Sequence, residues 1–286
     1  MNFDTKPISA GLYFVATPIG SARDITLRAL DLLNGVDVIA AEDTRTARKL
    51  MDIHGVPLRQ RQVLAYHDHS GDGMRARIVA EIAAGKSVAY VSEAGTPLVA
   101  DPGYALGRAV IDAGLPLTSA PGASAVLAAL TISGLPTDRF LFVGFLSAAK
   151  TQRDTEIAAL RDAPFTLIFY ESPKRVKDML GSLSEIMGGE RQAVVCRELT
   201  KRFEEVSRGT LSSLVSVFDG PAPRGEIVVV VGRAGATEIL PATVEAALRE
   251  AMKTMRMKDA ATVVAGAMGL TRRQVYQTAL TMEAKE

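Results

Sequence analysis

Short apolar runs alternate with stretches of helical periodicity along most of the chain. Leu12–Ala16, Val36–Ala41, Val88–Val91 and Gly225–Gly232 are apolar at nearly successive positions, the pattern of strands buried on both faces. Between such runs apolar residues recur every third or fourth position, as Leu27, Leu30 and Leu33 do behind Asp24, the expected N-cap. The same reading predicts strands over Arg139–Phe145, Phe165–Tyr170 and Ala193–Arg197. It predicts helices over Met74–Ala84, from Lys150 to about Arg161, and over Pro173–Met187, with Phe203–Arg208 as an added antiparallel strand. Strands and helices that alternate in this way make an α/β protein. The Pro-bearing segment Leu135–Asp138 divides it into two α/β domains, 11–137 and 138–236. Residues 237–286 form a small helical appendage, with a helix from Pro241 to about Met255, one over Lys258–Met268, a stop at Gly269, and a helix capped by Thr271 running to Leu280. Arg272 and Arg273 at the start of that last helix give the appendage a helix-turn-helix layout, a plain helical piece being the alternative.

Two strand-to-helix corners lie close together between Val88 and Leu130. Gly95-Thr96-Pro97 turns the chain after the first run without a bulky side chain, and Pro121-Gly122 breaks it before Ser124, the expected N-cap of a helix over Ala125–Leu130. Each corner alone reads as an ordinary turn. Together they form a shallow cradle on the edge of an open α/β sheet where ligands bind.

Polar residues crowd the same edge. Glu42-Asp43-Thr44-Arg45-Thr46 follows the second strand, with a capping role for Asp43 or Thr44 and a solvated Arg45 as the simpler reading. Leu64–His69 carries Tyr66, His67, Asp68 and His69. Two histidines without a third ligand make a poor metal site, and a polar loop beside a cleft is the favoured reading over a plain surface loop, with His67 the better functional candidate. Glu171-Ser172-Pro173-Lys174-Arg175 and Arg197–Arg202 close later strands. Each is either a solvated face or a mildly basic rim able to hold phosphates.

Composition narrows the classes. A chain of 286 residues, 48% hydrophobic, can bury a sizeable core, and a formal charge of +1 gives no overall polyanion signal. One cysteine, Cys196, and three histidines offer neither a disulfide nor a metal cluster, which fits a reducing cytoplasm. No targeting peptide and no run of membrane-spanning length is expected.

The ordered segments GLYFVATPIGSARDITLRAL, AAEDTRTARKLM, VSEAGTPLVADPGYAL, APGASAVLAAL, FYESPKRV, CRELTKRFEE and GEIVVVV, with the tail KDAATVVAGAMGLTRRQVYQTAL, resemble a known family. It is the ribosomal RNA small subunit methyltransferase I family, within the tetrapyrrole-methylase-like (class III) methyltransferases, and the resemblance spans nearly the whole chain. It implies an enzyme that uses S-adenosylmethionine to methylate the ribose 2′-hydroxyl of a cytidine in small-subunit (16S) ribosomal RNA, free or in the assembled 30S subunit. It also implies a homodimer and a cofactor cleft between the two α/β domains. By position, the resemblance assigns the cofactor to Thr17, Pro18, Gly95, Thr96, Pro97, Asp101, Ser124, Ala125, Phe145 and Leu146, and to part of the GEIVVVV strand. His69-Ser70 departs from the family's His-Asn or similar polar pair. Methyl transfer to oxygen asks mainly for positioning and a route for one proton. Glu42 or Asp43, together with His67, is expected in that role, with Arg45, Lys174 and Arg175 holding the RNA backbone or ribose. A tetrapyrrole-precursor methylase of the same fold and a non-catalytic nucleic-acid-binding regulator are the rival readings.

Overall fold

The structure is a computed structural model that describes residues 6–67, 70–235, 241–268 and 270–283. The chain divides into two compact units, Met1–Arg233 and Ala234–Glu286.

The first sheet is built from β1 (Gly11–Val15), β2 (Val38–Ala41), β3 (Gln62–Ala65), β4 (Ser87–Val91) and β5 (Leu117–Ala120), ordered β3-β2-β4-β1-β5. Every pairing is parallel, so all five carboxyl ends share one edge. Alternation along the strands decides which helix covers which face. Val15, Ile39, Ala41 and Val91 meet α1 (Leu27–Gly35) and α2 (Thr44–Ile53), whereas Leu12, Phe14, Ala40 and Tyr90 meet α3 (Asp72–Ala83) and α4 (Tyr104–Asp112). Tyr90 is wholly buried between Phe14 and Tyr66 in edge-on contacts, and its hydroxyl donates to the Pro102 carbonyl at 3.1 Å. Burying an aromatic with a polar tip requires such a partner.

The second sheet contains β6 (Phe140–Phe145), β7 (Thr166–Glu171), β8 (Gln192–Arg197), β9 (Glu205–Thr210) and β10 (Ile227–Val231), ordered β6-β7-β10-β8-β9. β6 and β7 are parallel; β10 runs antiparallel between β7 and β8. Helices α6 (Lys150–Ala159), α7 (Val176–Met187) and α8 (Leu211–Val217) bury Ile157, Leu180, Leu183 and Leu214 on one face. The other face receives α5 (Ala125–Ser133), which starts from the first sheet: Val126, Ala129 and Leu130 pack with Ile168, Val194, Cys196, Val228 and Val230. Cys196 is fully buried, and burial pushes its thiol up to about 11, so it is a core residue.

The second unit is a three-helix bundle of α9 (Pro241–Ala251), α10 (Met257–Met268) and α11 (Arg272–Glu283). Its core mixes Leu248, Val264 and Val275 with Ala260, Ala261, Ala265 and Ala279. Thr271 and Gln274 cap α11 reciprocally: the Gln274 amide donates to the Thr271 hydroxyl, and the Thr271 amide and hydroxyl donate to the Gln274 side-chain oxygen.

Several local expectations shift. Asp24 closes a single 3-10 turn, Ala22–Asp24, and the cap of α1 is Thr26, whose hydroxyl accepts from the Ala29 amide at 3.1 Å. The cap therefore falls two residues later than the periodicity suggests, and Leu27 is 65% exposed while Leu30 and Leu33 are buried. Ser124 occupies the N-cap position of α5 without a side-chain capping bond. The antiparallel strand expected over Phe203–Arg208 is β9, two residues further on. Asp43 does cap α2, accepting from the Arg45 and Thr46 amides.

Two outcomes follow from this packing. Ile168→Ala, at the seam between α5 and the second sheet, lowers stability by about 2–5 kcal/mol in urea unfolding, as deletion of fully buried apolar groups does. Asp43→Ala destabilises through the lost cap. Hydrogen bonds from the Arg45 side chain and amide, with its charge, hold the Asp43 carboxyl at about 2, below its ordinary 3.8. The difference in melting temperature between the variant and the unaltered chain is therefore full above pH 3.8 and vanishes as pH falls through about 2.

Candidate functional site

The loops at the carboxyl edge of the first sheet are tied to one another. Thr17 and Gly95 exchange two backbone hydrogen bonds, 2.9 and 3.0 Å, which fastens the loop after β1 to the loop after β4. The Thr96 hydroxyl donates to the Ala123 carbonyl at 2.9 Å, joining that loop to the one after β5. The Glu42 carboxylate accepts from the Glu93 amide at 3.1 Å, joining it to the loop after β2. Close approach needs small residues here. A Cβ on Gly122 would sit 2.9 Å from the Ala16 methyl, and Gly95, at φ +82°, lies against Ile19.

These loops form one wall of a cleft of about 840 Å³; the second sheet supplies the other. Because β10 is antiparallel to β7, its first residue, Ile227, lies opposite Glu171, the last of β7. Gly225–Val228 and Tyr170–Pro173 therefore reach the cleft together with Phe145 at the end of β6. The rings of Phe145 and Tyr170 meet edge-on with centroids 5.6 Å apart. Burial, and then the Asp101 charge, push the Tyr170 hydroxyl up to about 12, so it stays protonated.

Of the residues expected at the site, Pro18, Glu42, Gly95, Thr96, Asp101, Ser124, Ala125 and Phe145 line this cleft. Thr17, Pro97 and Leu146 stand behind the lining. Thr17 donates through its hydroxyl to the Ser92 carbonyl, Pro97 is buried, and Leu146 belongs to the core under the second sheet. Asp43 turns to α2 and pairs with Arg45 at 2.7 Å, the Arg45 side chain being 90% exposed. His67 and Lys174 are exposed outside the lining. Arg175 lies 3.2 Å from the buried Glu171 carboxylate and donates to the Leu146 carbonyl, bracing the loop after β6. His69 lies outside the described residues.

Thr46, Lys49, Glu93, Tyr170, Lys201 and Glu226 also line the cleft. Thr46 and Lys201 fall inside segments whose charge and position point to the rim, and Tyr170 ends the expected strand that leads into one of them. Glu226 lies in the GEIVVVV segment, but its place in the lining follows from the pairing of β10 with β7 and β8, which no local pattern encodes.

Five carboxylates line the cleft (Glu42, Glu93, Asp101, Glu171 and Glu226) against two lysines, Lys49 and Lys201. Such a site favours a compact cation with an apolar body over a polyphosphate. Among the described residues no group of three or more His, Cys, Asp or Glu is placed to hold a metal ion, and no helix is long and apolar enough to cross a membrane.

Comparison with known proteins agrees with this architecture. Residues 11–215 match the family model "Tetrapyrrole (Corrin/Porphyrin) Methylases", and residues 238–283 match "RsmI C-terminal HTH domain". The chain is 45% identical to the ribosomal RNA small subunit methyltransferase I of Mesorhizobium japonicum over 97% of this chain and 94% of that one. It is 39% identical to the protein of the same name from Escherichia coli O157:H7 over 94% of each. Among solved structures, the methyltransferase CobJ superposes with a TM-score of 0.60 at 21% identity, covering 79% of this chain and 95% of that one. A uroporphyrin-III C-methyl transferase from Thermus thermophilus, complexed with S-adenyl homocysteine, superposes with a TM-score of 0.54 at 18% identity over 78% of this chain and 98% of that one. The chain belongs to the tetrapyrrole (corrin/porphyrin) methylase family and, within it, groups with the proteins named ribosomal RNA small subunit methyltransferase I.

Proposed function

We propose that this protein transfers a methyl group from S-adenosylmethionine to the ribose 2′-hydroxyl of a cytidine in small-subunit ribosomal RNA, acting in the cytoplasm as a homodimer. The observation that carries this reading is that similarity to the ribosomal RNA methyltransferases runs through both units, helical bundle included. A tetrapyrrole-precursor methylase would need the sheet unit alone, and the solved tetrapyrrole enzymes cover only 77–79% of this chain.

The cleft fits such a donor. Phe145, Tyr170, Ile227 and Val228 offer an apolar and aromatic wall for a nucleoside, the Gly95–Thr96 corner offers backbone groups, and Asp101, Glu93 and Glu226 complement positive charge. No Gly-rich phosphate cradle is required for a cofactor without phosphates. When bound, S-adenosylmethionine supplies a methyl group on a cationic sulfur that departs as a neutral thioether. The chain's own residues fix the donor between the tied loops and the second sheet, so that the acceptor oxygen meets the methyl carbon in line. The excess of carboxylates in the lining repels a phosphate backbone, so RNA is held at the rim, where Arg45 and Lys174 are exposed.

The second copy is expected along β6. This edge strand reads FLFVGF and leaves Phe140 43% and Leu141 37% exposed, an apolar edge of the kind that proteins cover.

Purified protein with methyl-labelled donor should label the ribose of one cytidine in 30S subunits or 16S RNA; label on a porphyrinogen and none on RNA refutes the reading. Light scattering should give twice the 30.4 kDa chain mass. The Phe140→Asp, Leu141→Asp double variant should run as a monomer, and a monomeric unaltered chain contradicts the dimer.

A further inference from the structure

The segment Glu198–Arg202, between β8 and β9, is held in a conformation the chain would not choose freely. Glu198 and Thr200 have φ of +52° and +62°, a region costly for residues with a Cβ. Hydrogen bonds hold them there. The Glu198 amide donates to the Glu226 carbonyl at 2.9 Å and the Glu226 amide returns a bond to the Glu198 carboxylate at 3.0 Å. The Thr200 amide donates to the Glu204 carboxylate at 2.6 Å, and the Thr200 hydroxyl accepts from the Ser21 amide in the loop after β1. Two glycines make room for this. A Cβ on Gly225 would lie 2.3 Å from the Glu198 carboxyl group, and one on Gly20 would lie 2.5 Å from the Lys201 Cγ.

The product of this bracing is the placement of Lys201. Its ammonium group lies 3.0 Å from Glu198 Oε1 and 3.0 Å from Glu226 Oε2, in the cleft lining beside Gly20 and Glu226. Burial alone would ease its proton off, but the hydrogen bonds and charges of Glu226 and Glu198 outweigh burial and raise its pKa. It is a fixed cation at neutral pH and not a base. A lysine ammonium has three N–H donors, and two are spent on the carboxylates.

We propose that Lys201 is a catalytic residue of this cleft, its third N–H donating to the oxygen that accepts the methyl group, with Glu198 and Glu226 as positioning residues. This rests on the methyl-transfer reading above. The acceptor oxygen gains its bond to the methyl carbon, the electron pair of the broken carbon–sulfur bond stays on sulfur, the hydroxyl proton passes to water, and Lys201 keeps its own proton. The cation stabilises the negative charge that builds on the oxygen as that proton leaves.

The test compares Lys201→Met and Lys201→Arg with the unaltered protein on ribosomal RNA. Turnover, RNA KM, the pH profile, calorimetric affinity for S-adenosylmethionine and melting temperature are measured together. Lys201→Met should lose about 100-fold in kcat, the usual effect of deleting one such donor, with RNA KM, cofactor affinity and melting temperature little changed. Its activity should rise with pH at a higher pH than in the unaltered protein, and Lys201→Arg should recover part of the rate. Unchanged kcat, a loss carried in KM, or a fall in cofactor affinity and stability without a shift in the pH profile overturns the proposal. Should Lys201→Met not fold, Glu226→Gln, whose side chain is 72% exposed, removes one positioning carboxylate; a severalfold fall in kcat supports the proposal and no change overturns it. Failure of the unaltered protein to label RNA at all would instead strike the functional reading beneath it.

Discussion

Helix α5 begins at the carboxyl edge of the first sheet, yet its apolar residues, Val126, Ala129 and Leu130, are buried on the second. This shared core makes one compact unit of two separately hydrogen-bonded sheets. It brings the carboxyl edge of the first sheet opposite the ends of β6 and β7 and the start of β10, and the cleft lies between them. The rest of the site depends on that seam. Because α5 is capped by no side-chain bond, its position is set by the Pro121–Ser124 corner, the Thr96–Ala123 hydrogen bond and the apolar contacts beneath it.

Within this frame, rigidity and charge are divided. The first-sheet wall is made rigid by backbone and side-chain ties among four loops, and its small residues let a ligand come close to peptide groups. The second-sheet wall carries the aromatic surface and the paired charges around Lys201. An acidic lining around a single braced cation suits a positively charged donor and an acceptor oxygen. It does not suit the phosphates of the nucleic acid, for which Arg45 and Lys174 are exposed outside the cleft lining.

Much of this was legible in the sequence because it is local. β-branched runs marked the strands, Gly95-Thr96-Pro97 and Pro121-Gly122 marked the corners, and Asp43 and Thr271 marked helix starts. Asp24 and Thr26 are both good caps by residue type, and the 3-10 turn over Ala22–Asp24, followed by the extended Ile25, leaves Thr26 as the cap of α1. Lys201 and Glu226 were not singled out for a different reason. Their meeting depends on β10 inserting between β7 and β8, a long-range pairing without local signature, and on Gly20 and Gly225 being small where another loop passes. Asp43, prominent in the sequence, caps α2 and pairs with Arg45, whose side chain stays 90% exposed.

The central claim, that this cleft methylates a ribose in small-subunit ribosomal RNA, is tested most directly by mapping ribose 2′-O-methylation across that RNA in cells that contain or lack this protein. The account predicts the loss of one cytidine modification in the cells lacking it and its return when the unaltered protein is restored. Identical maps in the two would contradict it.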